Sequence, residues 1–78
     1  MDAVTRIIIR VAALEDNARK YEVDAQLYTA RANEAIDAKA REVGLRRAHA
    51  ATMAELRIRS EIAGLDYALT MLSAEVAR

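Results

Sequence analysis

Apolar residues recur at alternating intervals of three and four along the first half of the chain, which is the spacing of one face of an α-helix. Large side chains dominate the start of this row, and alanines dominate its later part. Its members, which we call the first seam, are Val4, Ile7, Val11, Leu14, Ala18, Tyr21, Ala25, Tyr28, Ala32 and Ala35. Because alanine adds little bulk between helix axes, the sequence predicts a second helix packed closely against the alanine-rich part.

A second row with the same spacing runs through the last part of the chain. Its members, which we call the second seam, are Ile58, Ile62, Leu65, Leu69, Leu72 and Val76. The chain has no proline and only two glycines, so few residues disfavour a helical conformation. The pattern therefore predicts two long helices.

The break between these helices is predicted near Gly44. Glycine commonly follows the last residue of a helix, and basic residues such as Lys39 and Arg41 stabilise the negative end of the helix dipole. A short turn at this point would place helices near residues 3–43 and 46–77 antiparallel to each other. The predicted fold is all-α, a single antiparallel helical hairpin domain over residues 1–78.

The start of the second helix leaves alternatives open. No Ser, Thr, Asp or Asn stands at residue 45 to cap it, and Arg46 and Arg47 carry the wrong charge for a helix N-terminus. A capping box at Thr52 and Glu55 would start a helix later, and a three-helix arrangement is then an option. If a helix runs through Gly44 instead, the chain forms one rod of about 110 Å.

Each predicted helix also carries apolar residues opposite its seam. In the first helix they are Ile9, Val23, Leu27 and Ala30, and in the second they are Met53, Leu56, Ala63, Tyr67, Met71 and Ala74. A helix in an isolated hairpin needs only one apolar stripe, so the second stripe predicts a further neighbour. We expect self-association into a four-helix bundle or coiled-coil assembly, with a dimer favoured. The residues expected at the oligomer or partner interface are Val23, Leu27, Leu56, Tyr67 and Met71.

The content of cysteine and histidine limits the chemistry of the chain. It has 78 residues with no cysteine and one histidine, which excludes disulfides, thiolate metal sites and multi-histidine sites. The Glu-x-x-His motif of a di-iron helical bundle is absent, and the acidic residues alternate with Arg and Lys as on a solvated helix face. We expect no catalytic residue, cofactor or metal, and thus no enzyme.

Hydropathy and charge bear on where the protein acts. No apolar run approaches the roughly 20 residues of a membrane span, and none resembles a signal peptide. The sequence therefore predicts a cytoplasmic protein without a membrane partner. The formal net charge is zero, but residues 38–59 carry six basic side chains against two acidic ones. These basic residues and the histidine form a possible contact patch, the basic patch, composed of Lys39, Arg41, Arg46, Arg47, His49, Arg57 and Arg59.

The segment from Ala40 to Ala50 resembles the turn of a helix-turn-helix motif, with an alanine four residues before Gly44 and Leu45 directly after it. The resemblance implies contact between the basic patch and DNA. Lys39 stands where that motif usually has an apolar residue, and the flanking helices are longer than in such motifs.

Taken together, these patterns predict a small protein–protein interaction module, such as an adaptor, inhibitor or assembly subunit of bacterial or phage regulatory type, that acts through helical surfaces. A regulator that binds nucleic acid through the basic patch is the alternative.

Overall fold

Two antiparallel helices form the whole architecture of residues 2–76, the part of the chain that the computed structural model describes. Helix α1 spans Ala3–Glu34 and helix α2 spans Ala38–Val76. They lie side by side in a body of 61 × 17 × 12 Å, which is one helix thick. The prediction of an all-α helical hairpin is confirmed, whereas the continuous rod and the three-helix arrangement are wrong.

The turn lies at residues 35–37 and not near Gly44. The predicted start of the first helix at residue 3 is confirmed, whereas its predicted end at residue 43 and the predicted start of the second helix at residue 46 are wrong. The predicted end of the second helix at residue 77 lies outside the described residues. Asp37 begins α2, because its carboxylate accepts a hydrogen bond from the Lys39 backbone N–H at 3.1 Å. The Asp37 carbonyl also accepts from the Arg41 N–H at 3.0 Å. The Arg41 guanidinium donates to the Ala35 carbonyl at 3.1 Å. These bonds satisfy backbone groups that helix ends leave without intrahelical partners.

Gly44 lies inside α2 with an ordinary helical backbone, because no glycine has a positive φ. Its role is close approach between the helices. A Cβ at this position would lie 2.9 Å from the Ala32 Cβ and 3.3 Å from the Ala32 Cα. Only glycine lets α2 pass so near α1, and the alanine-rich end of the hairpin is held tightly together at this point.

The Gly44→Ala variant should be less stable than Gly64→Ala by about 1–3 kcal/mol, since the added methyl group collides with Ala32. Gly64 is also in α2, but nothing lies within 4 Å of a Cβ built there. Both variants gain the same helix propensity, so their difference isolates the collision. Urea unfolding at low chain concentration measures it, and equal stabilities would contradict the close contact.

The buried core is narrow and made mostly of small side chains. It consists of Leu14, Ala18, Ala32, Ala48, Ala51 and Ile62. Further seam positions in both helices are half-buried, so the first and second seams face each other as predicted for most of their length. Val76 is the main departure, because it is exposed.

Two ion pairs join the helices along their length. The Arg10 guanidinium lies 3.2 Å from the Glu61 carboxylate, and Arg59 lies 3.3 Å from Glu22. The backbone contact between Gly44 and Ala32 sets the register more closely, and it places the start of α1 near residue 73 of α2. The last residues of α2 therefore extend past α1, which is why Val76 has no helix to cover it.

Asp2 caps the N-terminus of α1, because its carboxylate accepts a hydrogen bond from the Thr5 backbone N–H at 2.7 Å. This bond lowers the pKa of Asp2 below its ordinary value of 3.8. Because the pKa of Asp2 is lower in the folded state, ionised Asp2 stabilises the fold when the pH is above the ordinary pKa. That stabilisation is lost as the pH falls through the lowered folded-state value.

Acid titration should therefore weaken α1 of the wild type more than α1 of an Asp2→Asn variant, since asparagine caps helices without titrating. Circular dichroism of thermal unfolding between neutral and strongly acidic pH compares the two. Parallel pH dependence in both proteins would show that the Asp2 charge does not contribute.

Candidate functional site

The residues predicted to form an interface are all exposed in the hairpin. Val23 and Leu27 lie on α1, and Leu56, Tyr67 and Met71 lie on α2. Tyr67 has 69% of its surface exposed, and Val23 has 60%. No intramolecular contact therefore buries these side chains to the degree seen at Leu14 or Ile62.

These residues belong to two surfaces on opposite sides of the molecule. We call Ile9, Val23, Leu27 and Ala30 the α1 outer stripe and Met53, Leu56, Ala63, Tyr67, Met71 and Ala74 the α2 outer stripe. Each stripe lies opposite the seam of its own helix, and the two seams face each other. The stripes must then point in opposite directions, so one planar contact cannot bury both.

Charged residues interrupt the α1 outer stripe at its middle. Asp16 and Lys20 lie between Ile9 and Val23 on this side of the helix, as the helical repeat requires. A shallow hollow next to Val23 is lined by Asp16, Arg19, Lys20 and Asp24. The Arg19 guanidinium pairs with Asp16 across one turn. The apolar part of this stripe is therefore short and has a polar border.

The α2 outer stripe has no charged residue along its centre line. Ser60 and Gly64 fill the gaps between its members, and we call the combined surface the α2 outer face. From Met53 to Ala74 this face runs for about 32 Å at 1.5 Å per residue. Every one of its residues is exposed. It is a long strip without charge along its centre line, and small residues lie at its middle.

The hairpin tip carries an apolar side chain that sequence analysis missed. Ile36 is fully exposed in the turn between α1 and α2. A shallow hollow at the start of α2 is lined by Ala38, Arg41, Glu42, Leu45, Arg46 and His49. Ile36 follows Ala32 by four residues, so its spacing suggested a continuing helix, whereas the structure places it in the turn.

The structure spreads the basic patch along α2. From Lys39 to Arg59 it covers about 30 Å of helix. Arg47 and Arg59 lie on the side of α1. The Arg47 guanidinium carbon is 6.0 Å from the Tyr28 ring centroid, and Arg59 contacts Glu22. Lys39, His49 and Arg57 are exposed.

Several of these basic side chains already have intramolecular partners. Arg41 bonds the Ala35 carbonyl, and Arg46 pairs with Glu42. Arg59 donates to Glu55 at 2.6 Å, and this hydrogen bond raises the pKa of Arg59 above its ordinary value. The patch is therefore not one cluster of unpaired charge. A nucleic acid would have to follow α2 along its length to meet all of it.

Two further observations concern residues 2–76. No group of three His, Asp or Glu side chains there is close enough to hold a metal ion. Neither helix combines the length and the apolar character that crossing a membrane requires.

Comparison with known proteins gives no relative. No protein-family model matches this chain, and neither the curated proteins nor the solved structures contain a match.

Proposed function

We propose that this protein is a small interaction module that binds other polypeptides through the outer surfaces of its two helices. The supporting observation is the distribution of apolar side chains. The core of residues 2–76 has only Leu14 and Ile62 as large buried residues, whereas large apolar side chains of both outer stripes lie in water. A binding partner would complete a core that the hairpin alone does not have.

Energetics support this proposal. Full burial of one large apolar side chain stabilises by about 1.5–3 kcal/mol relative to leaving it exposed. Domains of this size bury little surface and commonly need an oligomer contact, a metal or disulfides. The chain has no cysteine, so disulfides are excluded. Association is the route that would bury the exposed apolar side chains of the outer stripes. It serves an adaptor, an inhibitor or an assembly subunit equally well.

The test replaces one residue on each stripe by a charged one. A Leu27→Lys, Tyr67→Lys double variant should keep its helical circular dichroism and lose both self-association and captured partners, because an ammonium group is costly in an apolar contact. Sedimentation equilibrium measures self-association, and affinity capture from the native host measures partners. The control is Lys20→Arg, which preserves charge on the exposed side of α1.

A double variant that keeps every wild-type complex would show that the stripes are ordinary surface. Nucleic-acid binding through the basic patch is the second candidate, favoured by the excess of positive charge in residues 38–59. Partners lost after nuclease treatment, in a complex that weakens steeply with added salt, would support that candidate instead.

A further inference from the structure

We propose that two copies of this chain pair antiparallel through the α2 outer face, with the twofold axis at Ser60. The inference rests on the proposed function and names one partner of the interaction module, a second copy. This face is favoured over the α1 outer stripe because it is long and uncharged along its centre, whereas Asp16 and Lys20 divide the other stripe. A symmetric pair also needs a surface that is complementary to itself.

Between Met53 and Tyr67 the side chains of this face are complementary in size when it is turned against itself. Met53 and Tyr67 lie seven residues on either side of Ser60, so each Met53 comes level with Tyr67 of the second copy. Thioether sulfur and aromatic rings pack favourably at such contacts. Leu56 and Gly64 lie four residues on either side, so each Leu56 comes level with Gly64 of the second copy.

This arrangement gives Gly64 a role that the hairpin does not. A glycine in a helix interior is destabilising relative to alanine, and nothing in the hairpin lies within 4 Å of a Cβ at Gly64. Gly44, in contrast, is required because Ala32 lies against it. In the antiparallel pair the space at Gly64 accepts the Leu56 side chain of the second copy, so each glycine marks a point where another helix approaches.

Charge complementarity selects the antiparallel direction. Arg57 borders the face on the same side as Glu61, and in the antiparallel pair these two residues of different copies lie within about one helical turn of each other. Glu61 also lies 3.2 Å from Arg10 of its own hairpin, so its carboxylate would accept from both guanidinium groups. Arg59 takes no part, because Glu55 and Glu22 of its own hairpin hold it.

A parallel pair lacks these matches. It would place Tyr67 against Tyr67 and Met71 against Met71, while Gly64 would face Gly64 and leave a gap at the centre. Since unfilled space in an apolar contact forfeits dispersion attraction, the parallel arrangement packs less well. The structure therefore favours one direction as well as one face.

Single cysteines test the geometry, because the chain has no cysteine of its own. Under mild oxidation, a Ser60→Cys variant should form a disulfide-linked dimer at least tenfold faster than an Ala30→Cys variant, which carries its thiol on the exposed α1 outer stripe. A mixture of Met53→Cys and Tyr67→Cys chains should link to each other faster than either variant links to itself. Circular dichroism confirms that each variant folds.

A packing variant tests the same contact without new covalent chemistry. Gly64→Leu should raise the dimer dissociation constant by about tenfold or more in sedimentation equilibrium, because it fills the space that Leu56 of the second copy needs. Ala30→Leu is the matched control and should leave the dimer unchanged.

Three outcomes would overturn the antiparallel dimer: equal cross-linking of the Ser60→Cys and Ala30→Cys chains, faster self-linking of Met53→Cys than of the mixture, or an unchanged dimer in Gly64→Leu. A protein that fails these tests but still binds another polypeptide through Leu27 or Tyr67 would refute the dimer alone. A protein that binds neither itself nor any other polypeptide would refute the proposed function too.

Discussion

Replacing Leu14 by alanine is expected to lower the free energy of unfolding by about 2–5 kcal/mol. Leu14 is only 4% exposed, and most of the buried side chains around the contact between the helices are alanines. Small residues on a narrow seam cannot expand to fill the space that a leucine leaves, so the cavity persists and its cost is high. A domain of this size has little stability to lose, and the variant is expected to be largely unfolded at elevated temperature.

The matched control is Leu27→Ala on the same helix. It removes the same atoms and changes helix propensity equally, but Leu27 is 45% exposed in the hairpin. Urea unfolding of both variants, at a concentration where the chains are monomeric, should show a much smaller loss for Leu27→Ala. Equal losses would mean that Leu14 is no more buried than Leu27 and would contradict the observed seam.

The helical seams could be read from the sequence because their signal is repeated many times. Ten positions of the first seam and six of the second support the same interpretation, so no single residue decides it. Antiparallel packing then follows from the short turn that was predicted between the two helices. The same periodicity identified the outer stripes, whose residues are exposed in the hairpin. Their role as an association surface stays a prediction.

The turn could not be located in the same way, because local signals there conflict with one another. Gly44 matches the general preference for glycine after a helix. In the structure, however, glycine is needed at this position because Ala32 of the other helix lies against it. The actual signal was Asp37, a favourable N-cap residue that precedes a run of good helix formers. Tertiary contacts of this kind cannot be recognised before the register of the helices is known.

The error in the turn also affected the expected interface. With Gly44 at the tip, Val23 and Leu27 would lie far from the end of α1, and their relation to the α2 residues was left unspecified. In the structure the two outer stripes lie on opposite sides of the hairpin. Five residues predicted as one interface thus divide into a pair on α1 and a trio on α2, and the proposed assembly has two separable contacts.

Separate lysine substitutions should therefore have separate effects. Tyr67→Lys is expected to weaken self-association by about a hundredfold or more, since it places an ammonium group level with the apolar Met53 of the second copy. Leu27→Lys should leave self-association intact, because Leu27 lies on the opposite side of the hairpin, and should instead weaken binding of a different polypeptide at the α1 outer stripe.

Sedimentation equilibrium of the wild type, the two single variants and the double variant gives a double-mutant cycle for dimer formation. Sites farther apart than about 7–10 Å without shared partners have nearly additive effects. The free energy of dimer formation should then fall as much in the double variant as in Tyr67→Lys alone. A dimer that Leu27→Lys disrupts as strongly as Tyr67→Lys would place both residues in one contact. Both outer stripes would then take part in self-association, which a closed bundle or a larger array of hairpins allows. A dimer formed through the α2 outer face alone would be excluded.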